Sequence, residues 1–292
     1  MPPAASDSSR SPIPVHLVAG GFPRGSYAGH DIDRVRLRLL GALARLAPTT
    51  VSVSPDYLDL DDWLGRARLL VSYVAGPFPD AERCASIRAW LEDGGRWLAF
   101  HGTTGGKTVP LPNGKPGRMM LRGPHHNLLG CLFLNHPPIR RFKVDISDTE
   151  HPITANAPNS FDVEDELYLL EVDAPDECRV LLTTSDLPAD DPAPREFGFT
   201  YEDDTSVADD GRTRILAYER RVGRGAIVYI GLGHCHTPTT NIQPWVDTSI
   251  TPDGKTPLEF DGPWKNATFD ALVDDALRWG LADDTQSGDA TS

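Results

Sequence analysis

Apolar positions in the first hundred residues fall into short runs separated by helical patterns. PVHLVAG (14–20) is an apolar run that stops at Gly20-Gly21, which predicts a buried strand feeding a loop. Residues 31–46 then place Ile32, Val35, Leu39, Leu43 and Leu46 at helical spacing. TVSVS (50–54) and LLVSYVA (69–75) are apolar or β-branched and flanked by turn residues, so both predict strands. Asp80 is a fair N-cap for a helix burying Ile87, Trp90 and Leu91, and Gly94-Gly95 supplies its stop. RWLAF (96–100) is a further strand and runs directly into HGTTGG. Strands alternating with helices predict βαβ units, hence an α/β fold with a mostly parallel central sheet flanked by helices. Ligands bind outside the carboxyl ends of such strands, so the loops after residues 20, 75 and 101 are expected to share one rim. His30, Gly76 and His101 then face a common crevice.

The second half is richer in strands: RRFKVDIS (140–147), LYLLEV (167–172), RVLLTTS (179–185), RILAYERR (214–221) and AIVYIGLG (226–233). Residues 186–213 are polar and acidic and read as an exposed loop. A closing helix places Phe269, Leu272, Val273, Ala276, Leu277 and Trp279 on one packing face. Between them, residues 237–265 form a long proline-containing stretch without periodicity, and loops of that length are often lids or interface elements. It is expected to cap the crevice or to pack on a second subunit, which admits a homodimer. Residues 1–12 and 283–292 read as disordered tails around a single domain, 13–282.

Composition narrows the partners. A net charge of −14 disfavours nucleic acid and anionic membranes, whose recognition needs clustered Lys and Arg. No apolar run approaches the ~20 residues of a spanning helix, and the N-terminus lacks the apolar core of a signal peptide. Cys84, Cys131, Cys178 and Cys235 are scattered without a CxxC pair, so neither a disulfide framework nor a thiolate zinc site is indicated. A reducing cytoplasm is the expected location.

Four histidines share a context: His30, His101, His136 and His234 each follow a strand or a glycine-rich turn. Histidine titrates near neutrality and its neutral ring is a good ligand for zinc and similar ions. Each alone reads as a ring bonded to a nearby carbonyl, since no HxxxH spacing links them; their recurrence at strand ends points to a shared site. If the last strand continues, His234 and His236 point to opposite sides and only one faces the crevice. The segment 151–168 carries Asp162, Glu164, Asp165 and Glu166. These carboxylates suit a general base or metal oxygens, or simply an acidic turn before LYLLEV. HHN (125–127) reads as a surface or loop feature, and Cys235 as a buried thiol rather than a nucleophile. GTTGG fits no phosphate-binding loop.

The ordered set Gly20, Gly21, His30 and Asp31, then GGRWLAFHGTT, LLGCLFLNHP with His136, HPIT…DELY and GRGAIVYIGLGH resembles the trehalose-utilisation (ThuA-like) family over residues 14–282. The resemblance implies a class I glutamine amidotransferase-like, flavodoxin-like fold. In true amidotransferases a cysteine occupies the elbow where this chain has His101, so glutaminase chemistry is not expected. GHCHTP also departs from the usual HPE-type ending, leaving His234 without a following carboxylate. What the resemblance implies instead is a glycoside-cleaving hydrolase or lyase acting on a disaccharide or keto-glycoside. His101, Glu166 and His234 are its expected catalytic residues. His30, Asp31, Thr103, His136, Asp165 and Tyr168 are expected to line the substrate, and Tyr27, Trp245 and Trp264 read equally as stacking surfaces or as core and rim packing. A divalent metal such as zinc would be held by His30, His101 and His234. The competing expectation is a non-catalytic sugar- or partner-binding module on a decayed amidotransferase fold.

Overall fold

The computed structural model describes residues 11–22, 29–185, 187, 199, 203–240, 242 and 245–282. Residues 1–10 and 283–292 of the expected tails, most of the acidic stretch 186–202, and Tyr27 lie outside the described residues.

The first half alternates as its pattern predicts: β1 (Ile13–Gly20), α1 (Ile32–Leu46), β2 (Thr49–Ser54), α2 (Leu60–Leu64), β3 (Leu69–Val74), α3 (Ala81–Glu92) and β4 (Arg96–Phe100). Asp31 and Asp80 begin α1 and α3 by accepting the N–H groups of Arg34 and Arg83, each at 3.0 Å. Helix α1 buries Val35, Leu39, Ala42 and Leu43, one stripe at the 3.6-residue period. In α3 the buried residues are Cys84, Ile87 and Leu91, whereas Trp90 stays half-buried and donates to the Ala67 carbonyl at 2.9 Å. The indole N–H finds its partner at the rim of the core, so the ring stops there.

A small hairpin of β5 (Thr108–Pro110) and β6 (Arg118–Met120) follows, then α4 (Pro124–Leu129) and β7 (Cys131–Asn135). The remaining elements are β8 (Arg140–Ile146), β9 (Ser160–Asp165), β10 (Leu169–Val172), β11 (Arg179–Thr184), β12 (Arg214–Val222), β13 (Gly225–Ile230) and α5 (Ala267–Leu281). Nine strands make one sheet in the order β2-β1-β3-β4-β13-β12-β11-β8-β9, while β7 and β10 pair separately. The first five are mutually parallel, and the pairings from β13 outward are antiparallel. Composition follows this division. Every residue of β3 and β13 is buried, which requires cover on both faces, whereas β8 alternates buried and exposed positions and has one face in water. The turn from antiparallel to parallel is the tight β12–β13 hairpin, where Gly223 takes φ +58°.

Three local expectations are corrected. His125 and His126 are buried in α4, not on a surface loop: their Nε2 atoms donate to the Gly105 and Thr104 carbonyls at 2.7 and 2.8 Å. The acidic run is no turn but the strand β9, which sends Phe161, Val163 and Asp165 inward and leaves Asp162 exposed. Finally, His234 and His236 do not part to opposite sides. The last strand stops at Ile230, the chain turns through Gly231 and Gly233 (φ +143°), and the two rings meet.

Candidate metal centre

The site gathers at the carboxyl ends of β1, β4, β7, β9 and β13. After β4 the chain bends sharply into a short 3-10 turn, His101–Thr104, with His101 at φ +39°. A non-glycine residue there is uncommon and strained, and the surroundings hold it. Tyr229 Oη donates to the His101 carbonyl at 2.8 Å, and Thr103 Oγ1 donates to the Ser72 carbonyl at 3.2 Å. Gly102 lets this corner sit against its neighbours, because a Cβ there would stand 2.8 Å from the Val74 carbonyl oxygen and 3.4 Å from the His30 ring.

The turn after β13 is clamped as firmly. Asp165 accepts the N–H groups of Gly233 and His234 at 2.8 and 2.9 Å. Tyr73 Oη and Trp264 Nε1 both donate to the Gly233 carbonyl, at 2.9 and 2.8 Å. Burial raises the Asp165 carboxyl to about 6, against the opposing pull of His101 and the Gly233 N–H.

Between these turns, His30, His101, Glu166 and His234 each point one ligand-capable atom at the others, all within 4.8 Å. All four are buried. His30 Nδ1 and His234 Nδ1 are 2.9 Å apart. Glu166 Oε2 lies 3.3 Å from His101 Nε2 and 3.4 Å from His234 Nδ1, and its other oxygen is 3.2 Å from His136 Nε2. Tyr168 stacks on the His101 ring at 3.9 Å between centroids. Burial, then its neighbours His234 and His101, lower the His30 pKa well below the ordinary value. Burial also lowers His136. Burial alone would raise Glu166, but His136, His234 and His101 outweigh it and hold the carboxylate ionised, well below its usual range. In His101, burial is outweighed by Glu166 and Asp165, and the pKa rises.

The proton inventory decides what fits here. His101 Nδ1 lies 2.7 Å from the Gly231 carbonyl and His136 Nδ1 lies 2.9 Å from that of Pro137. A carbonyl only accepts, so both protons sit on the outer nitrogens and the neutral rings turn lone pairs inward. Among the described residues, His101 Nε2 and Glu166 Oε1 are buried and make no hydrogen bond of ordinary geometry. Lone pairs facing a carboxylate repel unless something positive lies between them. A proton answers this partly, as the raised pKa of His101 records; a divalent cation answers it fully. Zinc bonds of about 2.0–2.1 Å in a tetrahedron imply ligand separations of about 3.3 Å, and the candidate atoms lie within 4.8 Å of one another, with His30 Nδ1 and His234 Nδ1 2.9 Å apart. The rings of His101 and His234 are also oriented by their other nitrogens, as metal-bound histidines ordinarily are. The residues fit a divalent metal.

Asp31 and Thr103 are spent on structure, capping α1 and tying the elbow to β3, and Asp165 acts through backbone N–H groups. Trp264 is buried, Cys235 is a buried thiol pushed up to about 12, and Glu164 pairs with Arg141 and Lys265 outside the cluster. One residue beyond the expected set stands beside it: His236, whose Nδ1 is 3.0 Å from His234 Nε2. The only sequence signal for it was the unusual GHCHTP ending.

The trehalose-utilisation family model, ThuA, matches residues 25–248, which spans His30, the elbow, Glu166 and His234. The chain belongs to the ThuA family. Among solved structures, a ThuA-like protein of Bacteroides uniformis aligns with a TM-score of 0.59 at 15% identity, covering 94% of each chain. One from Parabacteroides merdae aligns at 0.53 and 16%, covering 93% of this chain and 91% of that one. A cold-adapted β-galactosidase from Rahnella aligns at 0.50 and 12%, covering 93% of this chain but 32% of the enzyme. At these identities the likeness is one of fold. A comparison with curated proteins returns no match. No helix among the described residues is long and apolar enough to cross a membrane.

Proposed function

We propose that this ThuA-family chain is a metal-assisted enzyme of carbohydrate catabolism that cleaves a disaccharide or keto-glycoside. The observation carrying the reading is the convergence of three inward-facing histidine nitrogens and one ionised carboxylate inside 4.8 Å, all four residues buried. The family's description, trehalose utilisation, supports the substrate class. His30, His101 and His234 would hold the metal, which when bound supplies Lewis-acid polarisation of a substrate oxygen.

Glu166 is the general base of this reading. It is ionised, rigid and 3.3–3.4 Å from the ligand nitrogens of His101 and His234. Its outer oxygen faces His136 at 3.2 Å, so a proton taken by Glu166 can pass to His136 and return to the departing glycosidic oxygen. Tyr168, stacked on His101, keeps that ring in place, and its hydroxyl pairs with Glu166.

The test joins elemental analysis to a substrate screen. Purified protein should carry about one transition-metal ion per chain, lost in a His101→Ala/His234→Ala double variant, and metal-replete protein should turn over a disaccharide or 3-keto-disaccharide. Absence of both metal and turnover sinks the proposal. Sugar binding without turnover would turn it into the binding-module alternative.

A further inference from the structure

The usual partner of a metal-binding histidine's second nitrogen is a carboxylate, a carbonyl or a water. His101 follows that pattern with the Gly231 carbonyl. His234 does not: its Nε2 faces another imidazole, His236 Nδ1, at 3.0 Å. The far side of that ring is fixed too, because His236 Nε2 lies 2.9 Å from the Pro257 carbonyl. His236 is fully buried, and among the described residues no anion faces either nitrogen to hold a second proton.

The proton positions follow in order. The Pro257 carbonyl can only accept, so His236 carries its proton on Nε2. The neutral ring then presents a lone pair at Nδ1, which requires a donor from His234. His234 is therefore the Nε2–H tautomer, and its Nδ1 lone pair points at His30, Glu166 and the space between. Pro257 lies in the 237–261 stretch, and the same stretch sets the relay's register. His236 and Phe260 exchange backbone hydrogen bonds, 2.9 Å in each direction, and the Phe260 ring packs on both imidazoles at 5.9 and 5.6 Å.

We infer that His236, anchored by the Pro257 carbonyl, is a positioning residue that locks His234 in its ligating tautomer, making the segment of Pro257 and Phe260 an outer wall of the metal centre. The inference rests on the metal reading of the site. In this chain an imidazole backed by a carbonyl takes the place of the carboxylate that commonly orients a metal-bound histidine. The proton bookkeeping is the same, without a second buried charge.

Two measurements test it. In protein labelled with [15N]histidine, long-range proton–nitrogen correlation should place the protons of both His234 and His236 on Nε2, with zinc absent or present. A proton on His236 Nδ1 overturns the relay whether or not metal binds. Zinc affinity, read by competition with a chromophoric chelator, should fall about 10- to 100-fold in His236→Leu. It should recover most of that loss in His236→Gln, whose amide oxygen can still accept from His234. Equal affinities for the wild type and a folded His236→Leu variant, judged by an unchanged unfolding midpoint, overturn the inference, as does a Gln variant no better than Leu. If the wild type itself takes up no zinc, the metal reading falls, and the tautomer measurement decides the relay by itself.

Discussion

At the scale of single residues, the chemistry turns on where protons sit. Glu166 and the three histidines are separable by function. Because the rings carry the metal in the proposed reading, His101→Ala should lose it, while Glu166→Gln should keep metal and lose turnover by roughly 10²- to 10⁴-fold. Metal content and kcat measured on the same preparations check this; a Gln variant that arrives without metal would make Glu166 a ligand instead of a base. The pH dependence has a definite sign. His101 must be neutral to bind metal, and Glu166 with Asp165 raise its pKa above the ordinary 6.5 against the effect of burial. Protons therefore begin to compete at a pH above 6.5, and the apparent metal affinity should fall as pH drops through that value. The competition should not wait for the carboxylate range, since Glu166 is held well below 4.5. Isothermal titration between pH 5 and pH 8 reads the midpoint directly.

Elements enter through the turns that end them. Gly102 allows the elbow to approach β3, so Gly102→Ala, with its Cβ 2.8 Å from the Val74 carbonyl oxygen, should cost about 1–3 kcal/mol. It should also displace His30, visible as weakened metal binding in a protein that still unfolds cooperatively. On the antiparallel side, Arg214 at the start of β12 is buried and held by Asp204 at 2.7 and 3.1 Å. Removing one member of such a pair leaves a buried charge alone, so Asp204→Asn should destabilise by roughly 3 kcal/mol. Burial would raise Asp204, but Arg214 and Ser206 outweigh it and its pKa is lowered. The stability from this depressed carboxylate is present above its ordinary 3.8 and disappears as pH falls through the folded-state value. The gap between wild type and variant in urea unfolding should stay full at pH 7 and close only in acid.

For the molecule as a whole, a ligand that binds only the folded state adds stability by mass action. Zinc at 100 times its dissociation constant contributes about 2.7 kcal/mol. For a chain of 292 residues that corresponds to about 5 °C in unfolding midpoint, at about 2 °C per kcal/mol. Calorimetry of zinc-loaded and chelator-stripped protein should show that difference, and none in the His101→Ala/His234→Ala variant.

The local chemistry of the sequence was enough for the elements that depend on it. Apolar runs ending at glycine or a glycine-rich bend became β1, β3, β4 and β13, and Asp31 and Asp80 capped the helices, because these choices need only a residue's immediate neighbours. The strand-end rule likewise brought His30, His101 and His234 to one rim, since parallel strands deliver their following loops to the same edge. The partition of Asp162, Glu164, Asp165 and Glu166 was not legible in their pattern, and only the family resemblance singled out Asp165 and Glu166. Each is equally acidic, and only the pairing of β9 with β8 decides which of them turn inward. The meeting of His234 and His236 was hidden for a related reason. Alternation along a strand parts i and i+2 neighbours only while the strand lasts, and this one gives way to a turn held by Asp165, Tyr73 and Trp264 from three distant segments. Sequence alone thus determined which residue types reach the buried cluster. Tertiary structure decided which nitrogen of each histidine faces inward, because that depends on carbonyls as remote as Pro257.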